Sequence, residues 1–307
     1  MKKIALVFPG QGAQHVGMGK ALYEAHAGCK YLFEQASEIL NVDLARICFE
    51  GPEEELTRSD HAQPAIFVVS AAALLELKEK KPDMTIVAAA GLSSGEWAAL
   101  YAAGVVGFED TLRVLEARGR YMQQACQQKP GAMLSVLGLT AEQLQPVAEQ
   151  AGVSIANLNS PEQTVLSGTR EGIDRAESLV KDAGAKRALR LNVAGAFHSP
   201  LMESAAQQLE QFLADLHLET PVFPVLSNVT GKPFNTTSEI REMMVKQVTH
   251  PVQWVEDVRG LLGLDVDALI ECGPGKVLAG LVKRIDKQAV IHNIQDQATL
   301  DDTCSKL

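Results

Sequence analysis

Gly91-Leu92-Ser93-Ser94-Gly95 has the spacing G-x-S-x-G, set between a short apolar run ending at Ala90 and a helix-forming stretch that starts near Gly95. A nucleophile elbow needs this setting: glycines where flanking side chains would collide, and a central hydroxyl, here Ser93, lifted out of a sharp strand-to-helix turn. The backbone N–H of Ser94 would then stand at a helix start, where free donors and the helix dipole favour an oxyanion. A Gly-Ser turn without catalytic meaning has the same five letters, so the context carries the reading more than the motif does.

A serine hydroxyl is a weak nucleophile at neutral pH and needs a positioned base, most often histidine. Among the seven histidines, His198 stands out. Ser199 and Pro200 read as the N-cap and first residue of a helix over Leu201 to Leu216, which would fix the backbone of His198. A helix N-terminus also disfavours imidazolium and so favours the neutral base. His15, His61 and His250 lie beside turn-like residues too. On residue chemistry alone, the plain reading for each histidine is a surface or hydrogen-bonded core side chain.

Arg118 is the most informative charge. In a helix from about Asp110 to Ala125, steps of about 100° per residue place Arg113, Glu116, Arg120, Gln123 and Gln124 on one side. Thr111, Leu112, Leu115 and Met122 fall on the other, and Arg118 lies within that arc beside Ala125. Its (i, i±3) and (i, i±4) neighbours are Val114, Leu115, Tyr121 and Met122, so its own helix offers no carboxylate. A buried guanidinium needs an anion; a ligand or a distant Asp or Glu would serve equally.

Those residues must be held by a fold, and the order of elements describes one. Ile4 to Phe8 is a short apolar run stopped by Pro9-Gly10, as a buried strand would be. Helical patterns follow to Lys80, then the run Ile86 to Ala90 and a helix through Glu96, Trp97, Leu100 and Tyr101. Strands alternating with amphipathic helices indicate an α/β fold with a mainly parallel sheet. Residues 132–193 read instead as strand, helix, strand, strand, helix, strand, the βαββαβ order of a ferredoxin-like unit. Its strands are Met133 to Leu137, Val153 to Ala156, Thr164 to Leu166 and Ala188 to Val193; Pro146 is awkward inside its first helix. The larger pattern then resumes with strands near Val225, Leu269 and Val290. The expected division is therefore a catalytic domain over 1–127 and 195–307 with an inserted subdomain over 128–194.

Composition narrows the function classes. At 307 residues and 46% apolar, the chain has ample material for a large core, and 28 basic against 38 acidic residues leave a net charge of −10. No general field draws nucleic acid or anionic lipid, so neither nucleic acid nor membrane is an expected partner. The five cysteines are scattered without a C-x-x-C pair, which fits neither a disulfide framework nor a zinc site and suggests a reducing cytoplasm. The apolar run after Lys2 and Lys3 is shorter than the roughly 7–15 residues of a signal peptide, and no segment is long and apolar enough to span a membrane. Phe8 to Gly12 and Gly273 to Val277 lack the spacing of dinucleotide and Walker loops; they read as tight turns that bring backbone close to a site.

Taken together, FPGQGAQ (Phe8 to Gln14), GLSSGE (Gly91 to Glu96), Arg118-Gly119, GAFHSP (Gly195 to Pro200) and GPGKVLAGL (Gly273 to Leu281) resemble the malonyl-CoA:acyl carrier protein transacylase family, in its order and over nearly the whole chain. The resemblance implies an α/β-hydrolase-like large domain with an inserted ferredoxin-like subdomain. By residue match it implies Ser93 as nucleophile, His198 as base, and Arg118 as the grip on the free malonyl carboxylate. It maps the oxyanion hole to the backbone N–H groups of Gln11 and Ser94, and the carbonyl that orients the histidine to the stretch around Gln247. Gln63 matches a pocket-lining residue, and Phe197 the malonyl-selective version of its segment. Two positions depart from the family: Leu92 stands where histidine is common, and Ser94 where an aliphatic residue is.

The implied reaction is ping-pong transfer of malonyl from malonyl-CoA, a substrate, to the phosphopantetheine thiol of an acyl carrier protein in type II fatty acid synthesis. No cofactor or metal is implied, and a monomer is expected. A thioesterase or esterase would use the same elbow with water as acceptor and need no inward arginine; a carrier-binding scaffold would need no intact Ser93, His198 and Arg118. CoA and carrier proteins are acidic, so the negative chain needs local positive patches; Lys186, Arg187 and Arg190, with Lys276, Lys283 and Arg284, are the candidates.

Overall fold

A computed structural model describes residues 2–307. Among these residues eight strands occur in chain order: β1 (Lys3–Phe8), β2 (Thr85–Gly91), β3 (Gly131–Leu137), β4 (Ser154–Ser160), β5 (Gln163–Thr169), β6 (Arg187–Arg190), β7 (Ala268–Cys272) and β8 (Ile291–Ile294). They form two sheets, one parallel in the order β2-β1-β7-β8 and one antiparallel in the order β4-β5-β3-β6. The fold is mixed α/β.

The residues also group into two compact units. The first takes the chain up to Gly119, Leu216–Leu226 and Val258–Leu307; the second takes Arg120–Asp215 and Ser227–Asp257. The second unit thus includes segments on both sides of the 128–194 span drawn from the sequence.

In the first unit, Ile4 to Phe8 are all buried, as expected of a parallel strand covered on both faces. Phe8 pairs with Gly91, so the carboxyl ends of β1 and β2 lie side by side. That end of an open parallel sheet is where ligands bind in such folds. The expected strand near Val225 is only a single bridge to Ala89. Ala89 N–H donates to Pro224 and Leu226 N–H to Ala89, but Pro224 has no N–H of its own to extend a ladder.

In the second unit, the helices Ala141–Ala151 and Arg170–Asp182 alternate with β3 to β6. Their apolar stripes, Leu144, Val147 and Ala148 from one and Ile173, Ala176 and Val180 from the other, close over Leu134, Val136 and Leu166 of the sheet. A Thr140–Gln143 capping box starts the first helix, which runs through Pro146 because that residue is on the exposed side, where water can meet the carbonyl left without a donor. The expected helix over Leu201 to Leu216 is instead a 3-10 turn, Pro200–Met202, leading into Glu203–Leu213. Ser199 caps that turn by accepting the N–H of Leu201. No helix among the described residues is long and apolar enough to cross a membrane.

Candidate active site

The turn between β2 and the helix Gly95–Ala102 is an elbow built from backbone contacts. A Cβ on Gly91 would lie 1.9 Å from the carbonyl oxygen of Gly95, so no other residue fits there. Leu92 N–H donates to Phe8, and Gly95 N–H to Leu92, both at 3.0 Å. Between them Ser93 adopts φ +54°, a left-handed conformation that non-glycine residues rarely hold without support. The Ser94 side chain is buried, and its Oγ accepts the N–H of Gln11 at 3.2 Å. The loop after β1 is thereby tied to the elbow.

Arg118 points inward as its helical position predicts, with 1% of its surface exposed. Its helix, Phe108–Gln128, approaches the start of the helix Ser59–Lys80 so closely that a Cβ on Gly119 would lie 2.2 Å from the carbonyl of Ser59. That contact explains the Arg-Gly pair. Arg118 Nη1 donates to Gln63 Oε1 at 2.8 Å, and Nη2 to Ser93 Oγ at 3.2 Å. Gln63 Nε2 in turn donates to Gln11 Oε1 at 3.3 Å, and Gln11 Nε2 to Ser59 Oγ at 3.1 Å. A guanidinium has donors only, so it turns the Gln63 oxygen toward itself, and every amide beyond follows. Burial draws Arg118 down to about 10, while the Glu96 carboxylate acts in the opposite direction; the guanidinium stays charged at neutral pH.

His198, in the second unit, also has a left-handed backbone, φ +56°, and is buried at 3% exposure. Its Nδ1 lies 2.7 Å from the carbonyl oxygen of Gln247. A carbonyl only accepts, so Nδ1 carries the proton and Nε2 is the basic nitrogen of the neutral ring. Gln247 follows the last turn of the helix Thr237–Lys246. Its Nε2 donates to Asn228 Oδ1 at 3.3 Å, and Asn228 Nδ2 donates to Asp257 Oδ2 at 2.9 Å. Gln247, Asn228 and Asp257 are fully buried, so a carboxylate anchors the amides behind the imidazole.

Chemically, the first unit offers a hydroxyl on a strained turn beside a buried cation, and the second a buried imidazole in a defined tautomer. Comparison with known proteins gives these features a family. Residues 5–300 match the family model described as "Acyl transferase domain". The malonyl CoA-acyl carrier protein transacylase of Bacillus subtilis is 41% identical over 98% of this chain and 96% of its own. The chain belongs to the malonyl CoA-acyl carrier protein transacylase family. Among solved structures, the transacylase of Coxiella burnetii matches with a TM-score of 0.95 at 37% identity, over 100% of this chain and 98% of that one. A malonyl-transacylase solved in complex with a type II PKS acyl-carrier protein matches with a TM-score of 0.96 at 37% identity, over 99% and 100%.

In this family member, the first unit brings together Ser93, Ser94, Gln11, Gln63 and Arg118. The second joins His198 to Gln247 and holds Phe197, buried, beside it in the chain. Sequence reasoning gave no role to Ser59, Glu96, Asn228 or Asp257. Glu96 stood in the quoted GLSSGE motif, and its buried position in the first turn after the elbow is the signal that could have found it. Asn228 and Asp257 are isolated polar residues in the sequence and carry no comparable mark.

Proposed function

We propose that the chain transfers malonyl from malonyl-CoA to the phosphopantetheine thiol of an acyl carrier protein, by a ping-pong route through malonyl-Ser93, in type II fatty acid synthesis. The observation that carries this reading is the buried Arg118 guanidinium with one nitrogen on Ser93 Oγ and the other on Gln63. An acyl group bearing a free carboxylate can form a bidentate pair with such a cation, whereas an acetyl group leaves it without an anion from the ligand.

Ser93 Oγ attacks the thioester carbon, and His198 Nε2 takes its proton. The Nδ1 bond to Gln247 supports that tautomer. The N–H groups of Gln11 and Ser94 receive the oxyanion, and Phe197 lines the acyl site. CoA leaves as the thiol with the proton from His198, and the carrier thiol then attacks malonyl-Ser93. No cofactor takes part. The reading includes a cytoplasmic monomer that binds neither nucleic acid nor membrane.

The same proposal assigns an α/β-hydrolase-like catalytic domain over 1–127 and 195–307 and a ferredoxin-like subdomain over 128–194, supported by the βαββαβ order of β3 to β6 and their helices. For the acidic carrier, Lys186 and Arg190 are weak candidates because Glu162 (3.0 Å) and Asp174 and Glu177 (2.5 and 2.9 Å) already engage them. Arg187, Lys276, Lys283 and Arg284 are the other basic residues proposed to meet the carrier. Transfer to a holo acyl carrier protein tests the central reading: Arg118→Ala is expected to depress malonyl transfer at least tenfold more than acetyl transfer. Equal loss with both donors would refute the carboxylate clamp.

A further inference from the structure

Ser94 has been given a role only through its backbone, yet its side chain lies against one of the two N–H groups assigned to the oxyanion. The side chain is 4% exposed, and its Oγ accepts from Gln11 N–H at 3.2 Å. A hydroxyl also carries a proton to donate. Among the described residues, the side chain's hydrogen bond is the one it accepts, so its own proton has no protein acceptor. A purely structural tie between elbow and loop would use the lone pair and leave that donor idle. At 3.2 Å the Gln11 bond is at the long end of its range, and such an N–H can be shared with a second acceptor.

We propose that the Ser94 hydroxyl is a third donor to the oxyanion, supplied by a side chain beside the two backbone N–H groups. The inference rests on the reading of Ser93 as nucleophile. As the Ser93 Oγ–carbon bond forms, the Ser93 proton passes to His198 and the carbonyl π pair moves onto oxygen. Ser94 Oγ–H donates to that oxygen while its lone pair keeps Gln11 N–H aligned. When the adduct collapses, the carbonyl re-forms, the carbon–sulfur bond breaks, and the leaving thiolate takes the proton from His198. Ser94 makes and breaks no covalent bond. Because the donor meets full negative charge only in the adduct, it acts on the rate of acylation rather than on the binding of malonyl-CoA.

Single-turnover malonylation of the full chain by malonyl-CoA, followed by intact mass, tests the assignment in wild type, Ser94→Ala and Ser94→Cys. Cysteine fills the serine's space but is a weak donor, so a packing role and a donor role give opposite results. The donor role predicts that both variants acylate about tenfold more slowly or worse, with half-saturation by malonyl-CoA unchanged. Wild-type rates in Ser94→Ala, or in Ser94→Cys alone, would overturn it while leaving Ser93 as nucleophile. No malonyl adduct on wild type would overturn both readings.

Discussion

The serine-bearing and histidine-bearing units present their functional side chains by the same backbone device and secure them by different means. Ser93 and His198 both sit at positive φ, +54° and +56°, which turns each side chain out of the run of its neighbours. In the first unit the support is a chain of side chains, Arg118 to Gln63 to Gln11 to Ser59, whose direction a permanent cation dictates. In the second it is a main-chain carbonyl, held through Gln247 and Asn228 by the carboxylate of Asp257. The first arrangement needs particular residue types at the site itself. The second needs a particular backbone position, which remote residues secure.

The largest expected effect comes from breaking the close backbone approach between the Arg118 helix and Ser59 in the first unit. Gly119→Ala puts a methyl 2.2 Å from the Ser59 carbonyl, where backbone must move. A loss of about 3 kcal/mol or more in unfolding free energy, measured by urea titration, is the expected result; a near-neutral change would show that the two helices can part without cost.

A smaller effect is expected from Asn228→Ala, which cuts the link between Gln247 and Asp257. Asn228 bonds Gln247, whose carbonyl meets His198 Nδ1, so the proposed mechanism predicts that kcat for malonyl transfer falls about tenfold with KM for malonyl-CoA unchanged. A rise in KM alone would place its role in binding.

A third expected effect is a pH dependence of stability centred in the first unit. Burial pushes the Glu271 carboxyl up from its ordinary 4.5 to about 7, against the N–H bonds it accepts from Leu278 and Ala279. Between those values the folded chain holds a proton that the unfolded chain has lost. The cost of ionising Glu271 is therefore absent below about 4.5, grows as pH rises toward 7, and is constant above. The Tm of Glu271→Gln relative to wild type should climb across that window; parallel Tm curves would contradict the assignment.

The same contrast explains what the sequence disclosed. The elbow was legible because a backbone that excludes every side chain leaves glycines at set spacing, and Gly91 does so. The inward face of Arg118 followed from helical periodicity. The parallel strands β1 and β2 were readable as apolar runs and β7 and β8 were expected near Leu269 and Val290, while the strand expected at Val225 reduced to one bridge beside Pro224. The support of His198 was illegible to residue chemistry, because a carbonyl has no side-chain signature; Gln247 came from family resemblance alone. Asn228 and Asp257 lie far from His198 in the chain, and only folding shows that their polar groups are buried together.

The central claim is that Ser93 carries the malonyl group. Intact mass after brief exposure to malonyl-CoA, with acetyl-CoA as a second donor and Ser93→Ala and Ser94→Ala alongside, tests it most directly. The account predicts a gain of one malonyl group in wild type and, more slowly, in Ser94→Ala, with none in Ser93→Ala and little label from acetyl-CoA. A malonyl adduct that persists in Ser93→Ala, or CoA release without any adduct on the wild-type chain, would contradict it.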